Sequence, residues 1–598
     1  MASTTTTELL AAAAHHWQQN RPLLPMYLHL LLSALFPIYT GAHASLSRPS
    51  SAAKADKKTP KDQDSDDDDE EDDEEEAVQQ MEGLTPRDAV MFPIMAGSVL
   101  AGLYWLITTY GASVINTVLG LYFSLIGTYS VAKLINDSWT TIAGLIMPSY
   151  YKDQGKLWKV QNEKRAVSSL GDQSAITRKS PLVGLLGRLP LPQPLLNFLW
   201  SSRGLVKQRY QVTGSAKEFF DFKAVVTRHN ALSLILGVGA IAYSLLIDKP
   251  WWLTNLQGSA VSYGALQLMS PTTFATGTLI LSGLFFYDIW AVFFTPLMVT
   301  VAKSLDVPIK LVFPRPAEGP ATPGEKPEKS YSMLGLGDIV LPGLMIALCL
   351  RFDLYMFYLR KQKKVQKQHC EGDVCTLKTE VEKAPYVSVT SSWGDKLWTT
   401  GSARVDLPAQ LSASFSKPYF TASMIGYIIG MITTLVFMSV FQHAQPALLY
   451  LVPGVLISTW GTGLIRGELK EMWNFTEAIT GEAEKTENPK ESKGFFADLW
   501  AEIFGSAEES KDGKEEKDEE KSDEQKLKDK SKSEPDHVFS FTIKHYKRSD
   551  GKPTKQDEGA SPGADAAEDE DSVLVSNADF DDGKVQPRFR AGLSSKAQ

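Results

Sequence analysis

Two aspartates occupy positions that membrane-length sequence usually leaves uncharged. Asp288 is the only formal charge in the apolar run 273–294, and Asp338 is the only one in the run 333–350. A carboxylate inside a bilayer-length segment is costly, and such groups mark functional sites. Two carboxylates that share a site resist double ionisation and hold one proton between them. That state suits hydrolysis of an amide. The ionised aspartate takes a proton from water, the water attacks the scissile carbonyl, and the protonated aspartate donates to the carbonyl oxygen. Either residue can take either role. The reaction needs no metal, the runs carry no His/Glu zinc motif, and no cofactor is expected. The same pair would equally serve a proton or cation relay in a transporter.

Depth along the two runs agrees with a shared site. Asp288 lies about 9 Å before the end of its run, and Asp338 about 8–9 Å into the next, at about 1.5 Å per residue. Successive runs travel in opposite directions, so the carboxylates reach similar depth if the helices are neighbours. Tyr287 is placed to hydrogen-bond near Asp288. Gly335 and Gly337 allow close approach of a substrate backbone and local unwinding, or act as helix-packing positions. A helical substrate hides its amides, so it must unwind before attack. The strand-like stretch 307–313 could receive the unwound segment by strand addition.

The elements that must position this pair are long apolar runs. Nine occur, at 23–39, 90–110, 113–135, 231–247, 252–269, 273–294, 333–350, 421–441 and 446–465. Each is near the roughly 20 residues that cross a bilayer. The expected fold class is therefore an all-α polytopic membrane protein of roughly nine transmembrane helices. Five regions follow: an outside N-terminus with the first span (1–44), a disordered acidic linker (45–86), spans two to five with a basic loop (87–270), the catalytic spans six to nine (271–466), and a disordered tail (467–598). The linker holds the acidic block 64–76, and the tail is rich in Lys, Glu, Asp and Ser. Such composition does not bury enough apolar surface to fold. One β-like patch, 538–543, interrupts the tail as a docking-peptide candidate.

Charge gives an orientation. Basic loops follow the first, third, seventh and ninth runs, and all four fall on one side, which the positive-inside rule makes the cytosol. The N-terminus is then outside and the C-terminus cytosolic. Ala42-His43-Ala44 has the look of a signal-peptidase site, but the positive charges lie after the first run, which favours a retained anchor. Pro181 to Trp200 is apolar but broken by Arg188, Pro190, Pro192 and Pro194, and reads as an interfacial or re-entrant piece. The three cysteines, Cys349, Cys370 and Cys375, give neither a metal spacing nor a disulfide framework. Asn136 and Asn474 begin glycosylation sequons that this orientation leaves on the cytosolic side, unused.

Three motifs in order narrow the reading: Tyr287-Asp288, then Gly335-Leu336-Gly337-Asp338, then Gln445-Pro446-Ala447-Leu448. Together they resemble the intramembrane aspartyl proteases that carry Gly-x-Gly-Asp, the presenilin-like group. The stretches 298–304, 308–314 and 445–453 are similar to the signal peptide peptidase branch, with the resemblance running from about Val90 to Ile465. The resemblance implies a catalytic pair of Asp288 and Asp338, with Gln445, Pro446, Ala447 and Leu448 shaping the site beside them. It also implies transmembrane substrates, remnant signal peptides and type II membrane proteins, in the endoplasmic reticulum membrane. The presenilin branch has the opposite orientation. Membrane lipids, a homo-oligomer and membrane quality-control proteins are further expected partners; nucleic acid is not. The tail lacks a dilysine ending, and both charged insertions are large for the family. The rival readings are a non-proteolytic membrane scaffold, which would tolerate loss of Asp288, and a proton-coupled transporter, which should show internal repeats that this chain lacks.

Overall fold

The computed structural model describes residues 21–53, 81–162, 165–170, 177–216, 220–315, 331–371, 374–390, 393–400, 414–441, 445–477 and 539–545. They belong to the first of two units, Met1–Tyr546. The second, Lys547–Gln598, lies outside the described residues, as do the acidic block and most of the tail.

The unit is mostly helical. Its long helices are α1 (Leu24–Ala44), α2 (Pro86–Tyr110), α3 (Ala112–Ile146), α4 (Gln193–Lys207), α5 (Arg228–Leu246), α6 (Trp251–Leu268), α7 (Phe274–Phe293), α8 (Leu297–Ser304), α9 (Gly337–Leu359), α11 (Pro418–Phe441) and α12 (Leu448–Arg466). Two single-turn pieces are α10 (Trp393–Trp398) and α13 (Leu469–Asn474). Among the described residues eight helices are long and apolar enough to cross a membrane. The remaining expected span, α6, has the length but carries Asn255, Gln257, Ser262 and Gln267, all buried against the bundle. These polar side chains face the protein interior instead of lipid.

Local chemistry sets the helix ends. Thr85 and Asp88 form a reciprocal capping box at the start of α2, with Pro86 at the first position. Thr273 caps α7 by accepting from the Thr276 amide at 3.1 Å. Between α2 and α3 the whole connection is Gly111, at φ 84° and ψ 155°, a conformation that side chains other than glycine's rarely allow.

The bundle is organised around α9. Of its span, 83% is buried, against 6% for α2 and 17% for α5. The outer helices instead show Val114, Val118, Leu125, Leu234 and Ile235 to their surroundings, the faces a bilayer covers. α1 packs into this core through Leu30, Ala34, Ile38 and Ala42, so the first apolar run is a structural part of the bundle. α11 and α12 approach closely: a Cβ on Gly426 would sit 2.3 Å from the Gly454 carbonyl. Asp353, near the C-terminal end of α9, caps α11 by accepting from the amides of Tyr419 (3.3 Å) and Phe420 (3.0 Å). At the same end Arg351 ties three segments to α9. It pairs with Glu477 at 2.6 Å and donates to the hydroxyls of Ser45 (2.8 Å) and Ser270 (2.5 Å).

The structure adds sheets that the helical reading left out. Strands β2 (Tyr150–Asp153), β3 (Lys156–Gln161), β4 (Ala166–Leu170) and β5 (Thr177–Arg178) form an antiparallel sheet in the expected basic loop. Tyr151, Trp158, Val160 and Val167 make its core with Val183 and Trp200. The segment expected to be interfacial therefore packs on this sheet: Trp200 sits on α4 and donates to the Lys179 carbonyl at 2.9 Å. Strands β6 (Arg209–Ala216) and β7 (Phe220–Thr227) form a hairpin, and β13 (Phe539–His545), the tail patch, pairs with β6. Short β1 (Glu82–Leu84) pairs in parallel with β8 (Met269–Pro271), at the linker's far end. Strands β11 (Lys363–Glu371) and β12 (Val374–Glu382) form a second hairpin after α9.

Candidate active site

The sixth and seventh expected spans meet as neighbours, α7 against α9. Asp288 lies five residues before α7 ends and is 5% exposed. Asp338 is the second residue of α9, half-buried. Asp288 near the C-terminal end of α7 and Asp338 at the start of α9 thus belong to two helices in contact. The expectation that Asp338 lies five or six residues into its helix is corrected. Residues 331–335 form strand β10 (Tyr331–Gly335), which pairs antiparallel with β9 (Lys310–Pro314), and the helix begins only at Gly337. The alternating burial of Tyr331 to Gly335 is a strand pattern laid over an apolar run, which is why hydropathy alone merged it with the helix.

The Gly-x-Gly-Asp turn is built from this hairpin. Leu336 donates its amide to the Ile309 carbonyl at 3.0 Å, which holds the turn against the segment entering β9. Its side chain packs on α6, where a Cβ on Gly258 would fall 3.2 Å from Leu336 Cδ2. A Cβ on Gly335 would lie 3.4 Å from Asp338 Oδ2, so the bare glycine leaves the carboxylate room. Gly337 is looser; a Cβ there would meet Leu341 at 3.8 Å.

The third motif reaches the first through the backbone. Gln445 and Pro446 precede α12, Ala447 is its N-cap, and Leu448 is its first residue. The first amides of a helix lack internal partners and carry partial positive charge. One of them, Leu448 N–H, donates to Asp288 Oδ2 at 3.2 Å. The helix N-terminus thus fixes one aspartate's orientation.

Tyr287 makes its hydrogen bond to another helix. Its hydroxyl donates to the Ala96 carbonyl on α2 at 3.4 Å. Consecutive helical residues project about 100° apart, so a neighbour in sequence faces another helix. The strand proposed to receive substrate also changes. β9 is already paired with β10, and Asn255 clamps Val312 by donating to its carbonyl (2.9 Å) and accepting from its amide (2.7 Å). Among the described residues, the outer edge of β10 is the edge left for an added strand. Two contributors escaped sequence reasoning, Asn255 and Tyr427, whose hydroxyl donates to the Asp338 carbonyl at 3.2 Å. The one signal for Asn255 was a polar residue in a span-length run; Tyr427 gave none. No cluster of three or more His, Cys, Asp or Glu able to hold a metal occurs among the described residues.

Comparisons with known proteins agree with this arrangement. The signal peptide peptidase family matches residues 74–479. The mouse signal peptide peptidase is 28% identical over 467 residues, covering 78% of this chain and 87% of its own. The human one is 28% identical over 468 residues, with 77% and 88% covered. Intramembrane protease 2 of Caenorhabditis elegans is 31% identical over 305 residues, covering 51% and 55%. A match across more than half the sequence, on a multi-pass bundle whose motif residues converge, settles the assignment: the chain belongs to the signal peptide peptidase family of intramembrane aspartic proteases.

Proposed function

We propose that Asp288 and Asp338 are the catalytic dyad, and that the protein cuts transmembrane segments of remnant signal peptides and type II membrane proteins. The observation that carries this reading is the hydrogen bond from Leu448 N–H to Asp288 Oδ2, which brings the distant third motif onto the first. A substrate helix unwinds at the site, and its extended segment lies along the outer edge of β10. One aspartate, ionised, removes a proton from water as the oxygen attacks the scissile carbonyl carbon. The other gives its proton to the carbonyl oxygen, forming a gem-diol. Collapse of the diol breaks the C–N bond, and a proton passes to the leaving nitrogen.

The proposed setting is the endoplasmic reticulum membrane, with the N-terminus lumenal and the C-terminus cytosolic. Four basic loops on one side support that orientation. The test is cleavage of a signal-peptide-like span by purified protein in detergent, with the cut mapped by mass spectrometry. Wild type should cut inside the apolar segment, and Asp288→Asn and Asp338→Asn should not. Equal cutting by all three would end the proposal. A folded wild type that binds the span without cutting it would favour a scaffold.

A further inference from the structure

The C-terminal ends of α9 and α12 and the start of α11 come together around a cavity of about 240 Å³. Its lining is of two kinds. Met356, Phe357 and Pro418 are apolar, and Arg360, Lys361 and Arg466 are cations. Basic residues at span ends are ordinary, because they anchor helices at the interface. A cavity that collects three of them from two helix ends is not. Two carboxylates oppose these cations. Asp353 is buried, and its oxygens accept the Tyr419 and Phe420 amides at 3.3 Å and 3.0 Å. Glu468 accepts from Arg360, from Arg466 Nε at 3.1 Å and from the Tyr419 hydroxyl at 2.8 Å. Three cations against two carboxylates leave one net positive charge in the lining. Among the described residues, Arg466 engages Glu468 through Nε, and the Lys361 ammonium lies 4.1 Å from the centre of the Phe357 ring. A guanidinium has five N–H donors, so the terminal nitrogens of Arg466 and the Lys361 ammonium are available to an anion.

We propose that this cavity binds the phosphate head of an anionic phospholipid. The phosphate sits with Arg466 and Lys361, and the glycerol and first acyl carbons rest on Met356, Phe357 and Pro418. Two features select a lipid over free phosphate. The lining offers apolar surface beside the cations, and the cavity lies at the ends of three span-length helices, the level at which headgroups lie. The orientation given under the proposed function makes this the cytosolic leaflet, where anionic lipids concentrate, but binding at the cavity does not depend on that orientation. A lipid held here braces α9, which carries Asp338, against α12, whose first amide meets Asp288.

The test is native mass spectrometry of the full chain in detergent, titrated with phosphatidic acid, with phosphatidylcholine of the same acyl chains as the control. Wild type should bind phosphatidic acid in preference. Lys361→Gln removes a charge that contributes about fivefold to anionic-lipid binding, so it should weaken phosphatidic acid binding by about that factor and leave phosphatidylcholine unchanged. Glu468→Gln removes the opposing carboxylate and releases Arg466, so it should strengthen phosphatidic acid binding. A lining that only braced the helices would not respond to the two variants with opposite signs. Equal binding of the two lipids by wild type, or phosphatidic acid binding unchanged in both variants, would overturn the proposal. Glycerol 3-phosphate carries the same head without the chains and should displace the lipid only in large excess. Displacement at equal concentration would overturn the lipid as the occupant. The readout is binding and not cleavage, so it stands apart from the test of the aspartate dyad.

Discussion

At the residue scale the account turns on the groups around Asp288 and Asp338, the Leu448 amide and the bare Gly335. Leu448 is the first residue of α12, so Leu448→Pro removes the N–H given to Asp288 and also disfavours the αR conformation of Ala447 (φ −68°, ψ −36°) before it. A hydrogen bond to a charged group contributes about 1.5–3 kcal/mol, so kcat should fall about 10- to 100-fold, while Leu448→Val, which keeps the amide, should lose much less. Kinetics on a fixed peptide substrate checks both variants. Gly335→Ala places a methyl in van der Waals contact with Asp338 Oδ2, at 3.4 Å, and fills the space beside the carboxylate. It should lower kcat with little change in thermal stability, which a melting curve beside the assay would show. These roles were partly legible beforehand. The aspartates stood out because charge is rare in such runs. The job of Leu448 was not legible, because it is done by a backbone amide that every residue but proline owns. The Tyr287 contact with Ala96 was not legible either, because the helix that receives the hydroxyl is distant in sequence.

At the element scale the positions of α9, α11 and α12 decide whether the residues meet. Gly426 and Gly454 bring α11 and α12 together, and Gly426→Leu would force them apart; it should cost both folding yield and activity, measured by detergent-resistant monodisperse protein. Glu477→Gln leaves Arg351 charged, buried and without its carboxylate. Loss of one partner of a buried pair costs about 3–5 kcal/mol, so a marked drop in melting temperature should follow. Glu477 belonged to what composition read as disordered tail, and its clamp on Arg351 is a contact that composition does not encode. The long helices were legible from their apolar length. The β2–β5 sheet was not: its strands are short, and its buried Tyr151, Trp158, Val160 and Val167 are interleaved with lysines and serines. The same masking hid β10, whose apolar residues extended the run of α9.

At the scale of the whole molecule, a multi-pass bundle wraps α9 and carries small sheets outside the spans. Asp153 anchors one of them. Arg188 first, and Arg178 with it at 2.8 Å, hold its carboxyl below the usual range despite the opposing effect of burial. A depressed folded value contributes stability that is present above the ordinary carboxylate pKa of about 3.9 and is lost as pH falls through the lowered value. Protease resistance of residues 150–178 should therefore be flat near neutrality and fall in acid, and Asp153→Asn should remove that acid step. Orientation is set by the distribution of Lys and Arg over all the loops, and a glycosylation tag at the C-terminus that stays unmodified would agree with it. The central claim remains that the two aspartates act as one unit, and kcat/KM of Asp288→Ala, Asp338→Ala and the double variant tests it most directly. Groups that act together are lost together. The account predicts that each single variant falls to the same floor as the double, on the order of 10²- to 10⁴-fold or more below wild type. A single variant that keeps substantial cleavage, with the double falling further, would contradict it.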